Sequence, residues 1–330
     1  MDNYLNSNPK ISVLMPVCNT KEEYLREAIE SILTQTYTNF EFIILNDCST
    51  NNVESIILSY KDERIKYYQN DFNMGISEST NRLLSLASCE LIFMSDHDDI
   101  SLPTRFEKQV KFMEEHPEVG VLSAGLEYFP EVWQVIHPID HQAIEKCLLF
   151  GLCIVANPCA VIRKSLIEKS AVKYEKEYDV AQDYRLWTNL IGQTKFANLP
   201  EILLKYRWHK NNFSKINNFK QIILTQKIIF LAQESYFHQD FNIAVNLLDK
   251  LLTGKIITSS ELKQFIISIY QVKTNAMRLK LDYALNRHLY KLILSRTKKD
   301  TEYLKILWQH DLSKELKIKK WFKLKNTVKI

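Results

Sequence analysis

The stretch Leu91-Ile92-Phe93-Met94-Ser95-Asp96-His97-Asp98-Asp99 places three carboxylates directly after a short apolar run. A run of four apolar residues that ends in polar ones is typical of a buried strand. Ligands of open α/β sheets bind at the carboxyl ends of the strands. Mg²⁺ and Mn²⁺ bind to carboxylate oxygens, and Mg²⁺ does so together with substrate phosphates. The stretch therefore predicts a metal–diphosphate site at one edge of a sheet.

The same acids also fit a polar loop that caps the next helix. Pro103 suits the first turn of a helix, and Asp99 lies shortly before it, where a capping acid is expected. This second interpretation needs no cation.

Strand-like and helix-like segments alternate over the first hundred residues. The strand-like segments are 11–15, 40–45, 64–69 and 91–94, and the helix-like segments are 21–34, 53–60 and 78–87. This alternation predicts an α/β fold with a mostly parallel, doubly wound sheet. Residues 119–123 predict a further strand, whereas 157–158 and 198–200 are interpreted as loops.

The composition excludes several classes of protein. The chain of 330 residues is 46% hydrophobic and 25% charged, as in ordinary folded proteins with room for two domains. No apolar run approaches the roughly 20 residues that span a bilayer, and the first residues lack the features of a secretory signal. The six cysteines form no Cys-x-x-Cys pair, so zinc and redox motifs of that type are absent. We expect a cytoplasmic protein with reduced thiols.

Basic residues are concentrated in the last third of the chain. Residues 216–330 carry 21 Lys and Arg against 9 Asp and Glu, and 314–330 carry seven Lys and one Glu. A Lys-rich tail that contains aromatic residues is compatible with an anionic membrane surface, with a solvated helix end and with nucleic acid. We expect peripheral attachment to the inner face of the cytoplasmic membrane through 314–330, and no nucleic-acid partner.

Helical spacing of apolar residues continues through this basic part. It is clearest over 222–233 and 265–270, and strand signals are almost absent there. The sequence therefore predicts a catalytic α/β domain over 1–215 and a basic α-helical region over 216–330.

Further motifs occur where a nucleotide-sugar site needs polar or flexible groups. They are Pro16-Val17-Cys18-Asn19, Asn46-Asp47-Cys48-Ser49, Asn73-Met74-Gly75-Ile76, Ala181-Gln182-Asp183-Tyr184-Arg185-Leu186-Trp187 and Tyr206-Arg207-Trp208-His209. A carboxylate after the second strand can accept hydrogen bonds from a base or a ribose. A glycine in the third motif allows the backbone to approach a ligand closely.

In order and spacing, these motifs and Asp96-His97-Asp98 resemble glycosyltransferase family 2, which has the GT-A fold, over roughly residues 10–215. The family pattern is Pro-Val-Tyr-Asn after a strand, Asp-Asp-Gly-Ser, a DXD element, and Glu-Asp at the start of a helix. This chain departs from the pattern at Asn46, at Gln182 and at two cysteines, Cys18 and Cys48. The later motifs are most similar to bacterial transferases that extend lipooligosaccharide, in particular β-1,3-N-acetylglucosaminyltransferases.

The resemblance implies roles for individual residues. Asp98 becomes the principal ligand of Mn²⁺ or Mg²⁺, Asp96 a second metal or ribose contact, His209 a contact of the metal or diphosphate, and Asp183 the general base. The nucleotide-sugar contacts that it implies are Pro16, Val17, Asn19, Glu23, Asp47, Asn81, Asp96, His97 and Arg207.

Each assignment has a structural alternative. Asp183 also fits an acid in the first turn of a helix, and Asp47 a turn or capping residue. His209 also fits a packing histidine, and Arg207 an ion-pair partner.

The implied activity is transfer of a sugar, GlcNAc or another hexose or HexNAc, from a UDP-sugar with inversion. The acceptor is a hydroxyl of a glycan or lipid-linked molecule in lipooligosaccharide, lipopolysaccharide or capsule synthesis. One alternative is a basic membrane- or nucleic-acid-binding protein with an inactive transferase-like domain, and another is a nucleotidyltransferase. A dehydrogenase is disfavoured because no G-x-G-x-x-G follows the first strand.

Overall fold

A computed structural model describes residues 10–209 and, beyond them, Asn212, 218–237, 242–253, Thr258, Ser260, Glu261 and Gln264. The chain divides into two compact units. The first consists of Met1–Glu145 and Cys153–Ile216, and the second of Lys146–Leu152 and Asn217–Ile330. Within the described part of the chain, no helix combines the length and apolar character needed to cross a membrane.

The first unit is built on a nine-stranded sheet. Its strands are β1 (Ile11–Val17), β2 (Phe40–Asn46), β3 (Ile65–Gln69), β4 (Leu91–Met94), β5 (Ile100–Ser101), β6 (Val119–Phe129), β7 (Trp133–Val135), β8 (Val161–Arg163) and β9 (Lys195–Arg207). Its helices are α1 (Glu22–Leu33), α2 (Val53–Ser59), α3 (Ile76–Leu86), α4 (Arg105–Glu115), α6 (Lys164–Ser170), α7 (Gln182–Asn189) and the first part of α5 (His141–Leu149), whose residues from Lys146 onward are counted in the second unit. Short 3₁₀ turns occupy Asn157–Cys159 and Lys176–Tyr178.

The first four strands confirm the predicted parallel arrangement. They lie in the order β3-β2-β1-β4, and every neighbouring pair is parallel. β1 and β2 are buried over their whole lengths, as expected of strands covered on both faces. Because parallel strands end at the same edge, the segments after Val17, Asn46, Gln69 and Met94 lie beside one another.

The rest of the sheet is mixed. β8 joins β4 antiparallel, β6 follows β8 antiparallel, and β9 then runs parallel to β6. β5 pairs antiparallel with β9, and β7 forms a hairpin with β6.

The loop predicted at 198–200 is wrong, because these residues belong to β9. Asn198 and Leu199 pair with β6, and the register then shifts so that the next paired residue is Ile202. Pro200 therefore falls in a bulge. A proline is tolerated there because its missing N–H leaves no ladder hydrogen bond unmade.

The parallel half of the sheet buries one carboxylate. The Glu41 side chain is 2% exposed and lies 2.6 Å from the Lys66 ammonium. Ser12 Oγ, Ser88 N and Ser88 Oγ also donate hydrogen bonds to it. Burial alone would raise the pKa of Glu41, but these donors together lower it to about 2.

The second unit contains the helices α8 (Asn218–Phe237) and α9 (Asn242–Leu252), which confirms the helix predicted over 222–233. Lys227 on α8 and Asp249 on α9 form an ion pair of 2.8 Å. The helix predicted over 265–270 and the basic tail 314–330 lie outside the described residues. The domain boundary at 215/216 stays a prediction.

Candidate active site

The three carboxylates that follow β4 converge at the sheet edge. One oxygen from each of Asp96, Asp98 and Asp99 lies within 4.8 Å of the others. Asp99 is buried, and the other two are half-buried. Coordinating atoms at such a separation are close enough to share one ion.

The end of β9 is attached to this carboxylate cluster. Arg207 donates from its backbone N–H to Asp99 Oδ1 at 2.8 Å and from Nε to the Asp98 carbonyl at 2.7 Å. His209 Nε2 lies 3.1 Å from Asp98 Oδ2. The fold thus brings together residues that are more than 100 positions apart.

Arg207 lies at the cluster and makes structural contacts there. Its guanidinium pairs with Glu27 and lies 4.2 Å from the ring centre of Tyr24 and 4.5 Å from that of Phe129. These contacts and the bond to the Asp98 carbonyl engage the guanidinium, so it holds the cluster against β9, and its contact with a diphosphate stays a prediction. The pair with Glu27 is the kind of contact that the ion-pair alternative predicts for Arg207.

Electrostatics at the cluster favour a bound cation. Burial, Asp98 and Asp183 raise the pKa of Asp96 to about 7, and burial with the neighbouring carboxylates raises the pKa of Asp99 well above its usual value. Asp99 Oδ2 is buried and has no hydrogen-bond partner among the described residues. The buried Arg105 guanidinium acts on Asp96 and Asp99, but it donates its hydrogen bonds to other groups. The donor set therefore fits a divalent metal ion.

The predicted nucleotide segment after β1 adjoins the cluster. His97 Nδ1 lies 3.1 Å from the Pro16 carbonyl, which links the acids to the end of β1. Asn19 has a left-handed backbone (φ 48°), which asparagine tolerates better than most residues. Its side-chain oxygen accepts a hydrogen bond of 2.8 Å from Thr50 N. This bond ties together the loops that follow β1 and β2.

Asp47 has a structural role that the resemblance did not imply. Its carboxylate accepts hydrogen bonds from Asn70 Nδ2 at 2.7 Å, Met74 N at 2.8 Å and Gly75 N at 2.9 Å, and the residue is 4% exposed. These three bonds satisfy the carboxylate and hold the loop before α3, where Gly75 adopts φ +85°. Asp47 therefore holds this loop, as the turn alternative predicts, and its contact with a nucleotide stays a prediction.

Three other predicted contacts do not join the group. The Asn81 amide exchanges two hydrogen bonds with the Tyr174 backbone and so holds that segment against α3. Glu23 has an exposed side chain, 3.6 Å from Lys21. Val17 is 1% exposed in the core, and its carbonyl accepts the Asp47 N–H.

Asp183 lies near the cluster at the start of α7. Its Oδ1 accepts a hydrogen bond of 2.7 Å from Tyr184 N, and its Oδ2 lies 4.0 Å from Cys153 Sγ. Partial burial raises its pKa. The Asp183 charge in turn contributes to the raised pKa values of Asp96 and of the buried Tyr174. The candidate base is therefore within electrostatic range of the candidate metal ligands.

Sequence reasoning missed several groups around the site. Arg105, Tyr174 and Cys153 interact with its carboxylates, and Tyr128 and Tyr206 lie close enough for Asp99 to raise the pKa of each. One signal was available, because Tyr206 belongs to the motif Tyr206-Arg207-Trp208-His209, whose Arg207 and His209 contact the cluster.

Comparison with known proteins gives consistent results. The family model described as Glycosyl transferase family 2 matches residues 12–170. An uncharacterized glycosyltransferase of Haemophilus influenzae is 32% identical over 236 residues, which cover 67% of this chain and 72% of that protein. The Escherichia coli protein WfgD, named a UDP-Glc:alpha-D-GlcNAc-diphosphoundecaprenol beta-1,3-glucosyltransferase, is 27% identical over 67% of this chain and 84% of its own.

Solved structures agree on the fold. The crystal structure of S. aureus TarS 1-349 in complex with UDP-GlcNAc superposes with a TM-score of 0.58 at 15% identity, over 95% of this chain and 91% of that 1-349 chain. The predicted GT-A fold is thereby confirmed.

Proposed function

Because the chain belongs to glycosyl transferase family 2, and is a glycosyltransferase, we propose that it transfers a sugar from a UDP-sugar to an acceptor hydroxyl with inversion and with the help of a divalent cation. One observation carries the proposal: the clustered carboxylates of Asp96, Asp98 and Asp99 lie within electrostatic range of Asp183, which is not part of the cluster. A metal-assisted displacement needs this division between metal ligands and a separate base.

Asp98 and Asp96 would hold the cation, with His209 as a third ligand. Their carboxylate and imidazole groups suit Mn²⁺ or Mg²⁺. A bound cation would neutralise the charge that develops on the departing diphosphate. Arg207 keeps these ligands in place, since it binds the backbone of Asp98 and the side chain of Asp99.

Asp183 would accept the proton of the incoming hydroxyl. Its raised pKa makes it a stronger base than an exposed aspartate. Such proton removal contributes roughly 10²–10⁴-fold to the rate. A single base without a carboxylate nucleophile favours direct displacement, and hence inversion at the anomeric carbon.

The nature of the donor is inferred from relatives. WfgD is named for UDP-Glc and for a lipid-linked acceptor. We extend the nucleotide class and the acceptor class to this chain, with GlcNAc or another hexose or HexNAc as the sugar and surface-glycan synthesis as the setting. The segment Pro16–Asn19 and the loop held by Asp47 would enclose the nucleotide.

A cytoplasmic location and attachment to an anionic membrane through 314–330 belong to the same proposal, because a lipid-linked acceptor is presented at a membrane. Deleting 314–330 tests this part. The deletion is expected to abolish sedimentation with phosphatidylglycerol vesicles, and unchanged sedimentation would contradict the attachment.

A donor screen tests the reaction. UDP-Glc, UDP-GlcNAc, UDP-Gal and UDP-GalNAc would be incubated with Mn²⁺, Mg²⁺ or EDTA, and UDP release followed with and without acceptors. We expect acceptor-stimulated release from one UDP-sugar, lost in EDTA. Pyrophosphate release from a nucleoside triphosphate would favour a nucleotidyltransferase instead. Absence of both, with no binding of UDP, would favour the non-enzymatic alternative.

A further inference from the structure

Three aromatic residues form one row across neighbouring strands. Trp133 on β7 pairs with Tyr128 on β6, and Tyr128 pairs with Tyr206 on β9. Directly paired residues share a face of the sheet. β5 extends the row, because Ile100 pairs with Lys205 and the antiparallel register carries Asp99 to the position opposite Tyr206. The row thus leads from the outer hairpin to the carboxylate cluster.

The rings in this row are in contact. Tyr128 and Trp133 are stacked, with ring centres 4.6 Å apart and planes 6° from parallel. Tyr206 lies 5.1 Å from Tyr128, and Trp208 contacts both Tyr128 and Trp133 at about 6 Å. Trp133 is 38% exposed, while Tyr128, Tyr206 and Trp208 are half-buried. The row therefore presents an aromatic surface to solvent at its outer end.

The inner end of the row lies beside the carboxylate cluster. Burial and the charges of all three cluster carboxylates raise the pKa of Tyr206. Burial raises the pKa of Tyr128, and Asp99 and Cys153 contribute to it. Cys153 Sγ in turn lies 4.0 Å from Asp183 Oδ2. The row is thus adjacent both to the proposed metal ligands and to the surroundings of the proposed base.

We propose that a pyranose ring of the acceptor stacks on a platform whose outer face is Trp133, with Tyr128 stacked beneath it and Tyr206 joining it to the carboxylate cluster. The proposal rests on the proposed function and adds the residues that select a carbohydrate acceptor. A pyranose has a flat face of C–H groups that suits an aromatic ring, while its rim of hydroxyls stays hydrated. A ring stacked on this platform would lie at the solvent side of the row that leads to the carboxylate cluster, so its hydroxyls would be on the side of the site that is open to an acceptor. Continuity with the catalytic carboxylates favours a sugar over a lipid chain as the occupant, although Val132, Ile136 and Ile139 nearby are exposed.

Trp133→Ala and Trp133→Phe in the full-length chain test the platform. Leu58→Ala on α2 is the matched control, since Leu58 is also an exposed apolar residue and lies outside the site. The readouts are the acceptor KM, with α-D-GlcNAc diphosphate on a short alkyl chain as the first probe, and the slow release of UDP to water without an acceptor. Saturation-transfer NMR with methyl α-glycosides of GlcNAc, glucose and galactose, in the presence of UDP and the diamagnetic Mg²⁺, measures sugar binding without turnover.

We expect Trp133→Ala both to raise the acceptor KM about tenfold and to abolish saturation transfer. Trp133→Phe should keep the KM within about threefold, and Leu58→Ala should leave both the acceptor KM and the release of UDP to water unchanged. An unchanged KM or unchanged saturation transfer in Trp133→Ala overturns the platform. Two other results also overturn the platform. The first is a Trp133→Ala chain that loses vesicle binding but keeps sugar binding, because the hairpin would then be a membrane contact. The second is a wild-type chain that binds none of the sugars. Failure of the proposed function is a separate result, because it appears as a wild-type chain that neither binds UDP nor releases it.

Discussion

Glu41→Gln tests the electrostatics of the sheet that carries the site. The Glu41 carboxylate is 2% exposed, pairs with Lys66 at 2.6 Å and accepts hydrogen bonds from Ser12 and Ser88. Its pKa falls from 4.5 to about 2 in the folded protein. At about 1.4 kcal/mol per pKa unit, the ionised carboxylate stabilises the fold by about 3 kcal/mol at pH 7.

The pH dependence has a definite sign. Because the folded pKa is the lower one, the unfolded state binds more protons between pH 2 and 4.5, and stability falls as the pH falls. The contribution is fully present above pH 4.5, drops to about 1 kcal/mol near pH 3 and vanishes below pH 2. Glu41→Gln removes the charge, so the difference from wild type should shrink over the same interval.

Urea unfolding of both proteins at pH 7, 5, 4 and 3 measures this difference. Glu54→Gln is the matched control, because Glu54 is exposed on α2. Its effect should stay within about 0.5 kcal/mol at every pH. A Glu41→Gln difference below 1 kcal/mol at pH 7, or one that is equal at pH 7 and pH 3, would refute the reasoning.

Three further predictions concern the site. Asp183→Asn should lower the transfer rate roughly 10²–10⁴-fold while leaving UDP affinity within about twofold of wild type, because it removes the proton acceptor and not the metal ligands. Steady-state kinetics measure the rate and calorimetry measures the affinity. A rate within tenfold of wild type counts against Asp183 as the base. Asp47→Ala leaves the Met74 and Gly75 N–H groups without their acceptor, so amide hydrogen exchange over 73–75 should accelerate and the donor KM should rise; unchanged exchange would contradict its role in the loop. Arg105→Met removes a fully buried cation that donates to the Met94 carbonyl, so the free energy of unfolding should fall by about 3–5 kcal/mol. A decrease below 1 kcal/mol in urea titrations would contradict that role.

Local patterns predicted the parallel half of the fold well. β4 ends at Met94 in both the prediction and the structure, and the acids after it cluster as expected. The reason is physical: a strand buried on both faces is apolar throughout, and its polar end is visible in the sequence alone. Pro200 shows the limit of such patterns, because the bulge that accommodates it depends on pairing with a distant strand.

Side-chain roles were harder to predict than positions. Whether Asp47 faces a ligand or a loop depends on the backbone N–H groups of Met74 and Gly75, which the order of motifs does not reveal. The same holds for Arg207, whose partner Glu27 is 180 positions away. The aromatic row was invisible for a related reason, since its members come from three strands whose register only the tertiary structure specifies.

The metal dependence of UDP binding tests whether Asp98 holds the cation that binds the nucleotide diphosphate. Calorimetric titration of UDP into wild type, Asp98→Asn and Asp183→Asn, each with Mn²⁺ and with EDTA, separates the metal ligands from the base. We expect wild type and Asp183→Asn to bind UDP tightly only when Mn²⁺ is present, and Asp98→Asn to bind UDP at least about tenfold more weakly. Equal UDP affinity in wild type and Asp98→Asn, or an affinity that EDTA does not change, would contradict it.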